Sequence, residues 1–578
     1  MQAPILQEKH RIISAIEFPD RQGLARARKT VGRNLAELGL IKTLSRVMRE
    51  FPEFPYQHNG RANKALIEEI GFPVRLLNCY SIDAPQIAGL DQIVAALSRQ
   101  ACTQAPERSS ASGQPKWKFE YTPTQHGFRL LPENGVCRIE AMRMQLYPLD
   151  YVKGPGDGCI VDIARQLLLA TSREKFLISV SPAELIPLTG LIQAWNVPAP
   201  ERVVLLEDES VSSQWAQDNC KTGAVYDRWG RFQEYVTLVP RFACVGEDYS
   251  EYRPAESFIF DQVQRAGWRV VQSPLLFQGG NILPVKHPKT GELTVFVGQA
   301  EVIRNTRLGL KKEEVLEAFR REWGADRIEV LPPLSFHIDL EVSFRWHKGR
   351  MIAFTNDSLA AARMIVRCGI KGLLSCSILT ESEADELTWW LDHSEHQDQL
   401  LQILWSRVNE FRDEKGQFIS DKAEFFAVSG EESGRVNLSR FLLGLDLLSA
   451  AHKQREKFWA SLADQDARRD LFEYYRLLLE REEQRAQLKK RLLSLGIEVI
   501  SLPSTSDDDV SLNYINMIQD LTTVYLPAFG GMFQDIDQKV VGTLQGFLGS
   551  MVRIHQIRNS ATQSQCGGIH CSVSVYGR

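Results

Sequence analysis

The chain lacks an excess of positive charge, a long apolar run and any paired-cysteine motif, and each absence removes a class of function. Its 68 Lys and Arg against 72 Asp and Glu leave a formal charge of −4, so there is no global field to attract nucleic acid or an anionic membrane, and no local basic patch replaces it. Neither kind of partner is expected. No apolar stretch approaches the roughly 18 to 20 residues that span a bilayer. The opening MQAPILQEKHRIISAIEFPD lacks the basic segment, unbroken apolar run and small-residue cleavage site of a signal peptide. Ten cysteines, at 79, 102, 137, 159, 220, 244, 368, 376, 566 and 571, show neither CxxC pairs nor disulfide-scaffold density. A reducing cytoplasm is therefore expected, with no zinc site, no other metal and no cofactor.

What is present is globular. The 578 residues are 44% apolar and 24% charged, which allows a large core and about two to four domains. Residues 1–102 read as a mixed helical and loop domain, in which ARARKTVGRNLAELGLIKTLSRVMREF presents its basic residues as a solvated face. The Gln, Pro and Ser-rich TQAPERSSASGQPKW reads as a linker over 103–117.

From residue 155 to 578 a repeat governs the chain. Five copies each carry a helical stretch and then a short β-branched strand: LIQAWNVPAPERVVLLE, DQVQRAGWRVVQSP, EAFRREWGADRIEVLPP, KKRLLSLGIEVISLP and GTLQGFLGSMVRIHQI. Their strands recur about every 55 to 65 residues, except for one gap of about 170. That gap is a helical insertion over 380–490, as in DLFEYYRLLLEREEQRAQLKKRLLSL. Paired strand-like runs, such as EVSFRWHKGRMIAFTN and NYINMIQDLTTVYLPAF, precede the helices. The expected fold is α+β, with five strand, strand, helix, strand units arranged radially so that strand ends converge on one axis.

Reactive or polar residues follow the repeated strands: QWAQDN, QGGN, FHID and CGGIHC. Convergent strands would bring them into one pocket despite their separation in sequence. GGIHCSVS resembles the glycine-rich nucleophile motif of the guanidino-group-modifying enzymes, the pentein superfamily of arginine, agmatine and peptidylarginine deiminases and amidinotransferases. FHID resembles their His-x-Asp motif. WAQD is similar to the Trp-x-Gln-Asp of the peptidylarginine enzymes, and NYINMIQDLTTVYLPAFG to the strand pair before the agmatine deiminase nucleophile. The resemblance covers about residues 155–375 and 495–578, and it implies a five-bladed ββαβ propeller, the pentein fold, with an N-terminal extension and the helical insertion.

The resemblance implies catalytic roles for Cys571, His337, Asp218 and Asp339, and substrate contacts from Gln217, Trp215, Gln278, Gly279, Asn281 and Gly568. Gln278 departs from the pattern, because several members carry Glu before Gly-Gly. The residue types suit the reaction. Two carboxylates can hold the N–H groups of a planar guanidinium, a thiol beside a cationic substrate or imidazolium can ionise and attack its carbon, and an imidazole can protonate the departing nitrogen and activate water. Free arginine, agmatine or peptidyl arginine would serve as substrate, with WAQD, the N-terminal region and the insertion favouring a peptide, and the chain could form a homo-oligomer. An amine acceptor in place of water would make the same site an amidinotransferase, and a site without chemistry would be a pentein binding module.

Several residues have plainer readings. His337 and Asp339, two apart on a strand, would share one face. His570 would point away from Cys571 in an extended segment and either act structurally or support the residues of the site from behind. Cys102, Cys159, Cys244, Cys368 and Cys376 read as buried and unreactive. Asp507 to Asp509 is a candidate calcium loop that reads better as a solvated turn. Arg241, Arg304 and Arg345 are each eligible to hold a substrate carboxylate.

Overall fold

The strand-forming runs pair in one recurring order. A computed structural model describes residues 127–146, 158–207, 213–240, 242–245, 251–254, 268–273, 275–306, 311–332, 334–375, 377–409, 438–462, 465–506, 511–563, 565 and 567–578. The expected N-terminal domain over 1–102, the linker over 103–117, Arg241, Asp507 to Asp509, Cys102 and Cys376, and the side chain of Cys244, lie outside the described residues. The chain divides into two compact units, one of residues 1–130, 219–279 and 300–325 and the other of 131–218, 280–299 and 326–578.

The first unit holds the sheet β1 (Phe128–Leu130), β5 (Lys221–Tyr226), β6 (Phe232–Val239) and β9 (Arg269–Gln272), together with a hairpin of β7 (Phe242–Val245) and β8 (Glu251–Pro254). β5 and β6 run antiparallel, and β9 joins β6 in parallel.

The second unit repeats that pairing. β10 (Ile282–Lys286) and β11 (Leu293–Gly298) are antiparallel, and β12 (Arg327–Leu331) is parallel to β11. β13 (Val342–His347), β14 (Arg350–Asn356) and β15 (Glu498–Leu502) follow the same order, as do β16 (Ile518–Gln519), β17 (Thr523–Ala528) and β18 (Arg553–Arg558). The last sheet is β19 (Val573–Gly577), β2 (Ile139–Leu146), β3 (Lys175–Val180) and β4 (Val203–Glu207). The five expected terminal strands are thus β4, β9, β12, β15 and β18.

A parallel neighbour needs a crossover, and those from β2 to β3, β3 to β4, β11 to β12, β14 to β15 and β17 to β18 carry described helices. Gly324, Gly496 and Gly549, with φ of +59, +73 and +74°, end three of the crossover helices where only glycine takes the left-handed turn without strain. β4 differs from the expected unit. It follows β2 and β3 through the helices Ile160–Ala170 and Pro182–Ala194, all three strands being parallel, while the antiparallel partner of β2 is the C-terminal β19.

Between β14 and β15 the described chain is helical: Ser358–Ser375, Glu381–Asp392, Gln397–Asn409, Leu438–Ala451, Arg455–Leu462 and Gln465–Ser494. These helices bury their own core, including Leu400, Leu404, Phe441, Leu448, Trp459 and Tyr475. Each such side chain is worth about 1.5 to 3 kcal/mol on burial. Trp390 packs against that core, whereas Trp389 is half exposed and stacks on His393 at 4.0 Å. No helix among the described residues is long and apolar enough to cross a membrane.

Candidate active site

Cys571 sits in a single helical turn, Ile569–Ser572, that leads into β19. The glycines before it serve close packing. Gly568 has an ordinary φ of −134°, but a Cβ there would stand 2.5 Å from Asn516 Oδ1, and one on Gly567 would stand 2.3 Å from the Trp215 ring. Asn516 fastens the turn: its Oδ1 accepts from the backbone N–H of His570 and Cys571 at 2.9 and 3.3 Å, and its Nδ2 lies 3.3 Å from Cys571 Sγ.

His337 and Asp339 are not on a strand, as expected, but on the one-turn 3-10 helix Ile338–Leu340 that His337 opens between β12 and β13. Both still reach Cys571. Asp339 Oδ2 is 3.5 Å from Cys571 Sγ, and His337, Asp218 and Cys571 each offer an atom within 4.8 Å of the others. Asn281 fixes the imidazole by bracketing its backbone, donating to Phe336 O at 2.7 Å and accepting from Ile338 N at 3.0 Å.

The WAQD segment is tied to the same turn. Gln217 N donates to Cys571 O at 2.9 Å, and Gln217 Nε2 donates to Glu133 at 3.0 Å. This brings Asp218 Oδ1 to 3.5 Å from His337 Nδ1. Gly280 makes room for the pair, since a Cβ there would fall 2.6 Å from His337 Nδ1 and 3.0 Å from Asp218 Oδ1.

The helical turn also reorients His570. Instead of pointing away, its Nδ1 lies 2.7 Å from Asp339 Oδ2 and its Nε2 3.3 Å from Glu133 Oε2. Burial disfavours its charged form, but hydrogen bonds to Asp339 and Glu133, and their charges, outweigh that cost and hold the imidazolium up to about 9. Burial, followed by the carboxylates of Asp339 and Asp218, pushes the Cys571 thiol well above its ordinary value. Glu133, Asp339 and His570 line a small cavity with Ser343, Phe344, Ile515 and Met517.

Other candidates are engaged elsewhere. In the first unit Gln278 Oε1 accepts from Arg304, whose guanidinium also pairs with Glu301 at 2.9 Å; Gly279 opens the turn Gly279–Asn281. Arg345 is buried and donates to Gln519 and to the carbonyls of Asp520 and Leu521, each at 3.1 Å. Cys159 is buried, and burial pushes the Cys368 thiol up to about 12. Glu133 and Asn516 carry no motif of their own, and the NYINM run that contains Asn516 reads in sequence only as part of a strand pair. Asp218, His337 and Cys571 are donors close enough to converge on one metal ion.

No family model matches the sequence, and no curated protein matches it. Solved structures are similar to it. One is a Campylobacter (C. jejuni) agmatine deiminase, at 11% identity over 78% of this chain and 96% of the other, with a TM-score of 0.41. A form of that enzyme with substrate bound gives 10% identity, the same coverage and 0.41. A Porphyromonas gingivalis protein provisionally called an arginine deiminase gives 13%, 78%, 98% and 0.41. Each is described as a deiminase, the class of enzyme that the motifs resemble; the case for the repeated fold rests on the strand pairing itself.

Proposed function

We propose that the protein hydrolyses a guanidino group through Cys571. The observation that carries this reading is the convergence of one thiol, one imidazole and two carboxylates from three distant segments, with Asp218, His337 and Cys571 within 4.8 Å of one another and Asp339 3.5 Å from the sulfur. The repeated antiparallel-then-parallel sheets support reading the five modules as blades of a pentein fold.

A guanidinium bound by Asp218 and Asp339 offsets the charges that hold the thiol protonated. The sulfur then bonds to the guanidino carbon, and its proton passes through His337 to the departing nitrogen, which leaves as ammonia. The remaining thiouronium is attacked by a water whose proton His337 takes, and the carbon–sulfur bond breaks to release the ureido product and restore the thiol. Guanidinium and water become the ureido compound and ammonium.

The test is ammonia and ureido-product release from free arginine, agmatine and an arginine-containing peptide, with native chain and Cys571→Ala, with and without a chelator. Release from at least one substrate that is lost in the variant and unaffected by the chelator is the expected result, and the substrate that reacts names the class. Transfer of the amidino group to an added amine would make the site an amidinotransferase. Loss of activity with the chelator would assign the cluster to a metal, and no product under any condition would leave a binding module.

A further inference from the structure

The helix Gln465–Ser494 buries Tyr475, Leu478, Leu488 and Leu492, which fall on one helical face at about 100° per residue. Arg485 lies on that same face, where an apolar residue is expected, and is only 3% exposed. A charge there is costly unless paired. Its partner is Glu341, 1% exposed, gripped through both oxygens at 3.0 and 3.1 Å; Ser358, Glu482 and Ser506 complete the guanidinium's hydrogen bonds.

Glu341 stands two residues beyond Asp339 and closes the one-turn helix by donating its N–H to Ile338 O at 3.0 Å. Asn356 bonds Glu341 and Leu340 O together, at 2.9 Å each. Asn513 holds Leu340 O from the other side at 2.8 Å and accepts from Asn516 N at 3.1 Å, and Asn516 holds Cys571. A buried ion pair of this kind adds little net stability over a packed apolar pair, so its use here lies in geometry.

We propose that Arg485 is a positioning residue: by gripping Glu341 it sets the turn that carries His337 and Asp339, so the helical segment between β14 and β15 braces the site and does not act as a lid. This rests on the reading of Cys571 as nucleophile.

The test compares native chain, Arg485→Met with Glu341→Met together, and Arg485→Lys. Urea midpoints are measured alongside the alkylation rate of Cys571, by mass spectrometry of its peptide, with neutral iodoacetamide and cationic chloroacetamidine, and kcat and KM are determined on the reacting substrate. In the double variant the expected result is a urea midpoint near native, a largely unchanged rate with iodoacetamide, and a loss of about tenfold or more in both the chloroacetamidine rate and kcat. If the double variant does not fold, Arg485→Lys keeps the charge, loses the two-point grip and carries the same expectation. Native rates with both reagents in a folded variant would overturn the proposal. A native chain whose Cys571 reacts with neither reagent would instead defeat the nucleophile reading, which separates the two failures.

Discussion

His570 Nδ1 stands 2.7 Å from Asp339 Oδ2, and that same oxygen stands 3.5 Å from Cys571 Sγ. One imidazolium therefore shares a carboxylate with the Cys571 thiol, and Glu133 flanks its other nitrogen. Glu133, Asp218 and Asp339 thus stand around His570, His337 and Cys571, and a carboxylate lies beside each of these three side chains.

Stability should fall as the solution becomes alkaline. His570 is raised from 6.5 to about 9, so its contribution is fully present below 6.5 and is lost as pH rises through 9, an effect of about 3 kcal/mol at most. Urea unfolding of the native chain between pH 6 and 10 should show this loss, and His570→Gln should flatten it. An equally steep decline in the variant would assign the effect to another group.

Removing one carboxylate should wake the thiol. Because the charge of Asp218 helps to push Cys571 up, Asp218→Asn should speed iodoacetamide alkylation of Cys571 at pH 8 while slowing turnover. A rate unchanged by the substitution would mean that burial and Asp339, not Asp218, control the sulfur.

Asn516 tests the turn that presents Cys571. Asn516→Leu removes a donor at 3.3 Å from Sγ and the acceptor for two backbone N–H groups, so kcat should fall by about ten- to a hundredfold with a stability loss of about 1 to 3 kcal/mol. A kcat within twofold of native, measured on the substrate that reacts, would show that the turn holds itself.

Gly280→Ala places a methyl 2.6 Å from His337 Nδ1. Overpacking should cost about 1 to 3 kcal/mol in urea unfolding and depress kcat more than KM, since the imidazole and not the entrance is displaced. A variant with native kcat would show that His337 has room to give.

The terminal strands were legible because β-branched runs follow helices through glycine, as in SLGIEVISL before β15 and WGADRIEVL before β12. The β19 to β2 pairing was not, since it joins opposite ends of the described chain and leaves no local pattern. At the site, Cys571, His337, Asp218 and Asp339 could be named from their motifs, but the helical turns that hold them could not. An extended reading of IHC sends His570 outward, whereas one turn of helix swings it onto Asp339. Gln278 Oε1 accepts from Arg304, a partner that spacing does not reveal. Glu133 and Asn516 escaped notice because each acts through a tertiary contact.

The covalent step is the central claim, and acid-quenched mass spectrometry of the Cys571 peptide tests it most directly. With native chain mixed with the reacting guanidino substrate, an adduct with the mass of the substrate less ammonia should accumulate on Cys571 within one turnover and decay to ureido product. Product formed by Cys571→Ser at the native rate would contradict the account.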